Sequence, residues 1–144
     1  MPRMIFVNLP VTDVTRSTAF YEAIGMTRDP RFSNEVASSM LWSDTIVFML
    51  LDTSFYATFT SKRIADTHET SAALLCLSMD GREAVDAIVG KAAAAGGKAD
   101  PGPKQDMGFM YGRSFEDPDG HVFEPMWMDP VAVEKMSAGE LADV

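Results

Sequence analysis

Glu124 stands in the apolar run His121–Met128, where alternation puts Val122 and Met126 on its side of a strand. A carboxylate among apolar neighbours is costly unless paired, and an unpaired one drifts toward a raised pKa suited to a general base or acid. Two readings stay open for Glu124: a proton-transferring group, or the structural partner of Arg113 or another donor. His121 follows a turn and falls on the opposite face, so it is expected in solvent. His68 lies in a polar stretch and carries no stronger signal. Asn8 either orients a ligand carbonyl or ties down a neighbouring strand. Cys76, the single cysteine, excludes an intramolecular disulfide and is expected as a small buried filler. Gly96, Gly97 and Gly102 follow a helix instead of opening one, so no phosphate-binding loop is present. There is no serine-centred nucleophile elbow either.

The elements that must hold these residues occur twice. Phe6–Thr12 alternates Val7, Leu9 and Val11, then runs into the amphipathic stretch Thr15–Gly25, with Asp13 or Thr15 as its N-cap. Leu75, Leu77 and Met79 repeat that alternation 68 residues later, ahead of the helical stretch Gly81–Gly97. Phe32–Ser33, Ser38–Ser43 and Thr45–Leu51 read as strands completing module one (residues 1–52) as β-α-β-β-β. Residues 53–71 form a polar connector, with Ser54 as a possible cap for a short helix carrying Phe55, Tyr56 and Phe59. Module two (72–130) continues with strand Phe109–Phe115, the turn Asp117-Pro-Asp-Gly120 and strand His121–Met128. A shift of 76 lays Thr45-Ile-Val-Phe48 over His121-Val-Phe-Glu124, which makes Phe48 the counterpart of Glu124. Residues 131–144 are an acidic tail, expected as a short helix with a frayed end. The fold class expected is α+β, built of two βαβββ modules; that their curled mixed sheets surround an open cup is what a family resemblance adds. Phe6, Asn8, Phe48, Leu74, Cys76, Arg113 and Met126 are the expected ligand-contacting residues, with Glu124 as the catalytic candidate.

Composition narrows the function. A chain of 144 residues with 47% hydrophobic and 23% charged residues builds an ordinary globular core. The net charge of −9 disfavours nucleic acid and anionic membranes, which need basic surfaces. Thr45–Leu51 is far too short to span a bilayer, and Met1–Val11 lacks the parts of a secretory signal, so the cytoplasm is the expected compartment. Trp42, Trp127, Tyr56, Phe55 and Tyr111 are expected in the core or a dimer interface, and Met107, Met110, Met126 and Met128 would give a soft lining near the cup.

Asn8-Leu-Pro-Val-Thr-Asp13, Arg16-Ser17 with Phe20-Tyr21 and Gly25, and Phe115-Glu-Asp-Pro-Asp-Gly-His-Val-Phe-Glu124 together resemble the vicinal oxygen chelate superfamily. That superfamily includes glyoxalase I, extradiol dioxygenases and bleomycin-resistance proteins. Met110-Tyr-Gly-Arg-Ser and Met126-Trp-Met-Asp129 are similar to a bacterial group labelled lactoylglutathione lyase. The resemblance implies a cup that often holds a divalent metal on four ligands, one from the first and one from the last strand of each module. Those positions fall on Phe6, Phe48, Leu74 and Glu124, of which only the last can coordinate. The expectation is therefore a small-molecule binder without cofactor or metal. The alternatives are a lyase or isomerase with Glu124 as base, and a non-catalytic accessory domain. A homodimer is also expected, with Phe55, Tyr56 and Phe59 at its interface, and neither nucleic acid nor membrane as partner.

Overall fold

The computed structural model describes residues 1–138, and the end of the expected frayed tail lies outside the described residues. Strand β1 (Ile5–Val11) leads into α1 (Val14–Ala23), followed by β2 (Thr27–Asp29), β3 (Ala37–Leu41) and β4 (Ile46–Asp52). They make a sheet in the order β1-β4-β3-β2, with β1 parallel to β4. The short helix α2 (Thr53–Tyr56) opens the connector. Module two follows with β5 (Leu74–Ser78), α3 (Arg82–Ala94), β6 (Lys98–Ala99), β7 (Gln105–Asp106), β8 (Met110–Gly112), β9 (Phe115–Glu116) and β10 (Val122–Met128). Its sheet runs β6-β9-β10-β8-β7, and β5 lies parallel to β10 as β1 does to β4. Helix α4 (Pro130–Ser137) closes the described chain. The architecture is the expected mixed α+β fold of curled sheets. Among the described residues no helix is long and apolar enough to cross a membrane.

Local chemistry explains most boundaries. Asp13 is the N-cap of α1, its carboxylate accepting from the Arg16 N–H, and Gly25 takes a positive φ just beyond the helix. Asp52, not Ser54, caps α2: its side chain accepts from the Ser54 N–H. Phe32 belongs to a 3₁₀ turn, Pro30–Phe32, because Asp29 caps it and proline presets its first residue; the strand beside β3 is Thr27–Asp29 instead. The single strand expected over Phe109–Phe115 is two, β8 and β9. They separate at Arg113–Ser114, opposite Pro125, which has no N–H to keep an unbroken ladder.

Alternation sets which side chains meet the helices. In β1, Leu9 and Val11 are buried while Phe6 and Asn8 are exposed; in β5, Leu77 is buried while Leu74 and Cys76 are exposed. The buried sides of both sheets share one core with α1 and α3. Phe123 packs 5.4 Å from Phe48 and 5.8 Å from Tyr21, and Phe20 lies 6.2 Å from Phe115, between ring centroids. The modules therefore join through their helix-covered sides, and the opposite faces of both sheets stay open within one chain.

The Asp117–Gly120 turn locks that junction. Its carboxylates reach into module one: Asp117 Oδ2 accepts from Tyr21 Oη at 2.6 Å, and Asp119 accepts from the Thr12 hydroxyl at 2.7 Å and from Ser17 Oγ at 3.3 Å. His121, at 7% exposure, is buried and not in solvent as its place after a turn suggested. Its Nε2 donates to the Pro10 carbonyl at 2.7 Å, giving the ring a partner that only the other module could supply. Gly120 has φ +89°, and a Cβ there would stand 2.7 Å from the backbone at Thr67 and His68, so the connector crosses where only glycine fits. Asp119→Ala should strand several donors at once and destabilise the chain by about 2–4 kcal/mol. Asp13→Ala, which removes only an exposed cap, should lose about 1 kcal/mol. Urea unfolding of both variants checks that order.

Candidate functional site

Register decides which residues share the open faces. Phe6 pairs with Val47, and Asn8 with Met49; in module two Leu74 pairs with Val122, and Cys76 with Glu124. The counterpart of Glu124 is thus Met49, at a shift of 75, and not Phe48. Phe48 pairs with Val7 on the helix side and is 2% exposed, so it belongs to the core. One residue of slip in the repeat alignment had turned it to the wrong face.

The structure places the remaining candidates as follows. Phe6, Asn8, Leu74, Cys76, Glu124 and Met126 all lie on open-face positions of their strands. Cys76 is exposed, not buried, because α3 covers only the other side of β5. Partial desolvation by the sheet around it, and second the nearby Glu124 carboxylate, push its thiol pKa up although the side chain reaches solvent, so the thiol stays protonated at neutral pH. Arg113 is elsewhere. It faces α3, donating from Nη2 to Asp100 Oδ2 at 2.6 Å and from Nη1 to Asp86 Oδ1 at 2.9 Å, and it does not pair with Glu124. Among the described residues Glu124 takes part in none of the ion pairs.

A concavity of about 410 Å³ forms between module one and the start of the connector, without module two. Asn8, Met49, Leu51 and Ala37 make its floor from three adjacent strands, and Phe55, Phe59 and Phe32 make its walls. Phe59 packs edge-on against Phe55 at 5.0 Å, while Phe32 and Phe59 keep 64% and 66% of their surface exposed. Sequence reasoning missed Phe32 because it was assigned to a strand. The one charged wall residue is Arg31, and it is already engaged: Nε donates to Asp29 Oδ1 at 3.0 Å and Nη2 to Asp29 Oδ2 at 2.8 Å. The concavity thus offers aromatic faces, a thioether and the side-chain amides of Asn8 and Asn34, the latter's Oδ1 already accepting from the Val36 and Ala37 N–H groups, with its cation neutralised.

The donors around Glu124 do not fit a divalent cation within this chain. Phe6 and Leu74 have no ligating atom, and among the described residues no group of three or more His, Cys, Asp or Glu side chains could hold a metal.

On the outer side of module two, Arg113 holds Asp100 below the ordinary carboxylate pKa, chiefly through its hydrogen bond; Asp86 is lowered by the Tyr111 hydroxyl first and Arg113 second. Burial raises Asp117 instead. A folded pKa below the unfolded value stabilises fully above the unfolded value near 3.8, and that contribution disappears as pH falls through the folded pKa. Asp117 has the reverse sign and loses stabilisation as pH rises above that value. Arg113→Ala should therefore lower Tm more at pH 7 than at pH 3, a difference that thermal melts across that range would measure.

Residues 3–124 match the family described as Glyoxalase/Bleomycin resistance protein/Dioxygenase superfamily. No curated protein matches the sequence. Solved structures with the same fold include a hypothetical protein from S. aureus, at 24% identity and TM-score 0.73, covering 88% of this chain and 94% of that one. A glyoxalase/bleomycin resistance protein/dioxygenase family enzyme from Burkholderia phytofirmans shares 22% identity, with TM-score 0.71 and coverage of 88% and 99%. A glyoxalase-related enzyme from Fulvimarina pelagi shares 18% identity, with TM-score 0.73 and coverage of 88% for both chains.

Proposed function

Because the chain belongs to the glyoxalase/bleomycin resistance protein/dioxygenase superfamily, we propose that it uses the open sheet faces to bind a small organic molecule without a metal. The observation that carries this reading is the concavity between Phe32 and Phe59, whose single cation is already paired with Asp29. Such a lining favours a neutral planar group that slides between the rings and takes a hydrogen bond from the Asn8 amide. It offers no free acid, base or nucleophile, so sequestration fits the module-one concavity better than turnover.

A second copy of the chain completes the cup in this reading. The exposed Phe6 and Leu74 of one chain belong to faces that a single chain leaves uncovered. Pairing module one of one copy with module two of another brings Glu124 and Cys76 over the concavity. Phe55, Tyr56 and Phe59 then border the contact. The lactoylglutathione-lyase alternative rests on Glu124 in that assembled cup, as the group able to move a proton beside a thiol that stays protonated.

Ligand-induced thermal shift with planar neutral heteroaromatics tests the binding reading. A compound held at 100 times its Kd should add about 2.7 kcal/mol of stability. Phe32→Ala with Phe59→Ala should abolish that shift while changing the unliganded protein by only about 0.5 kcal/mol, since both rings are largely exposed. Undiminished binding in the double variant, or binding lost on treatment with a chelator, would overturn the proposal. Glu124→Gln should keep the thermal shift; loss of a measurable turnover in that variant would instead establish the lyase alternative. Sedimentation at micromolar concentration should give a dimer, and a monomer there would remove the assembled cup.

A further inference from the structure

A second cavity, about 550 Å³ and apart from the aromatic concavity, lies between the connector and the outer edge of β1. Three features of its lining bear on what could occupy it.

The first is an unpaired strand edge. β1 is the last strand of its sheet, and Val7, Asn8, Leu9 and Pro10 all line the cavity. The Ile5 N–H bonds the Thr45 carbonyl on the β4 side. In a parallel pair the backbone groups of successive residues alternate in direction, so those of Phe6, Asn8 and Pro10 turn away from β4. Pro10 has no N–H, and its carbonyl is taken by His121. The outward N–H and C=O of Asn8 remain as a donor and acceptor facing the cavity, the arrangement by which a strand edge accepts another strand.

The second is charge of both signs. Lys62 and Arg63 line the cavity from the middle of the connector and make none of the ion pairs among the described residues. Residues 63–66 are neither helix nor turn; the connector then turns, with the Glu69 N–H bonding the Asp66 carbonyl. Glu69, seven residues beyond Lys62 on the same strap, also lines the cavity, and so does Glu116 of β9. The third is apolar surface, from Ile64, Leu75 and Val122.

We propose that this cavity binds a short apolar peptide in extended form, its carboxylate at Lys62 and Arg63, its amine at Glu69 and Glu116, and its backbone along the free edge of β1. The strap is suited to admit such a ligand. Its one long-range side-chain anchor among the described bonds is Thr67 Oγ1, which donates to the Asp119 carbonyl at 2.5 Å. The site shares Asn8 with the aromatic concavity but neither Phe32 nor Phe59, so it stands or falls apart from the cup.

Calorimetric titration of the full chain with the tripeptide Val-Ala-Val tests the proposal, alongside its N-acetylated, C-amidated and doubly blocked forms. Acetylation should weaken binding by about twofold to fivefold in the wild type, within the range for exposed charge pairs, and should have no effect in Glu69→Gln/Glu116→Gln. Amidation should weaken it similarly, with no effect in Lys62→Ala/Arg63→Ala. All four charge-variant positions are outside the hydrophobic core, and circular dichroism would verify that the variants fold. Equal affinity for the free and doubly blocked peptides would overturn the proposal. So would absence of binding at millimolar peptide, as when a second copy of the chain already occupies the edge. Binding lost in Phe32→Ala/Phe59→Ala but kept in both charge variants would place the peptide in the cup and overturn it as well.

Discussion

Two carboxylates on one four-residue turn hold this molecule in its shape. Asp117 and Asp119 leave module two and satisfy Tyr21, Thr12 and Ser17 of module one, while their own turn supplies the remaining donors: Asp117 Oδ1 accepts from the Asp119 and His121 N–H groups, each at 2.9 Å. A buried carboxylate tolerates loss of water only with such a set of donors. Asp119 also stands beside the first turn of α1, where the helix dipole favours negative charge. Because the turn binds across the junction, it fixes the angle between two sheets that share no ladder. Fixing that angle determines which faces remain available for a ligand.

The same junction gives a physical account of why so much of the family resemblance concerns packing. Arg16, Ser17, Tyr21 and the Asp-Pro-Asp-Gly turn carry the likeness, and all of them contribute to the lock or flank it. None of these reaches the open faces, where Asn8 and Glu124 are among the matching residues. Residues that secure a fold can persist while those lining its cavity change chemistry, and likeness in the former says little of the latter.

Sequence alone made the duplicated modules, both long helices and the inward or outward sense of β1 and β5 legible, because apolar alternation over several residues is a strong signal. It failed where a single residue of register mattered. Val47, Phe48, Leu50 and Leu51 are all buried, so β4 has no exposed partner to mark its phase, and Phe48 was assigned to the wrong face. The tertiary partners were illegible too. Nothing near Arg113 in sequence announces Asp86 or Asp100, and nothing near His121 announces Pro10. The aromatic wall at Phe32 was hidden by a proline-led turn that reads locally as a strand.

Burial on one side and exposure on the other place opposing demands on each sheet. The helix side of β10 carries Phe123 and Pro125, both buried, and the other side carries Val122, Glu124 and Met126, all partly open. A lone carboxylate on the first side would need the donors that Asp117 has. On the second side Glu124 can stay hydrated, and it becomes demanding only when something covers it. Covering that face removes water, so whatever covers it must bring a donor or a cation of its own. Module one makes the complementary demand, since the Asp29–Arg31 pair leaves its concavity without net charge. The two faces therefore make different demands, apolar contact on module one and a donor for the Glu124 carboxylate on module two.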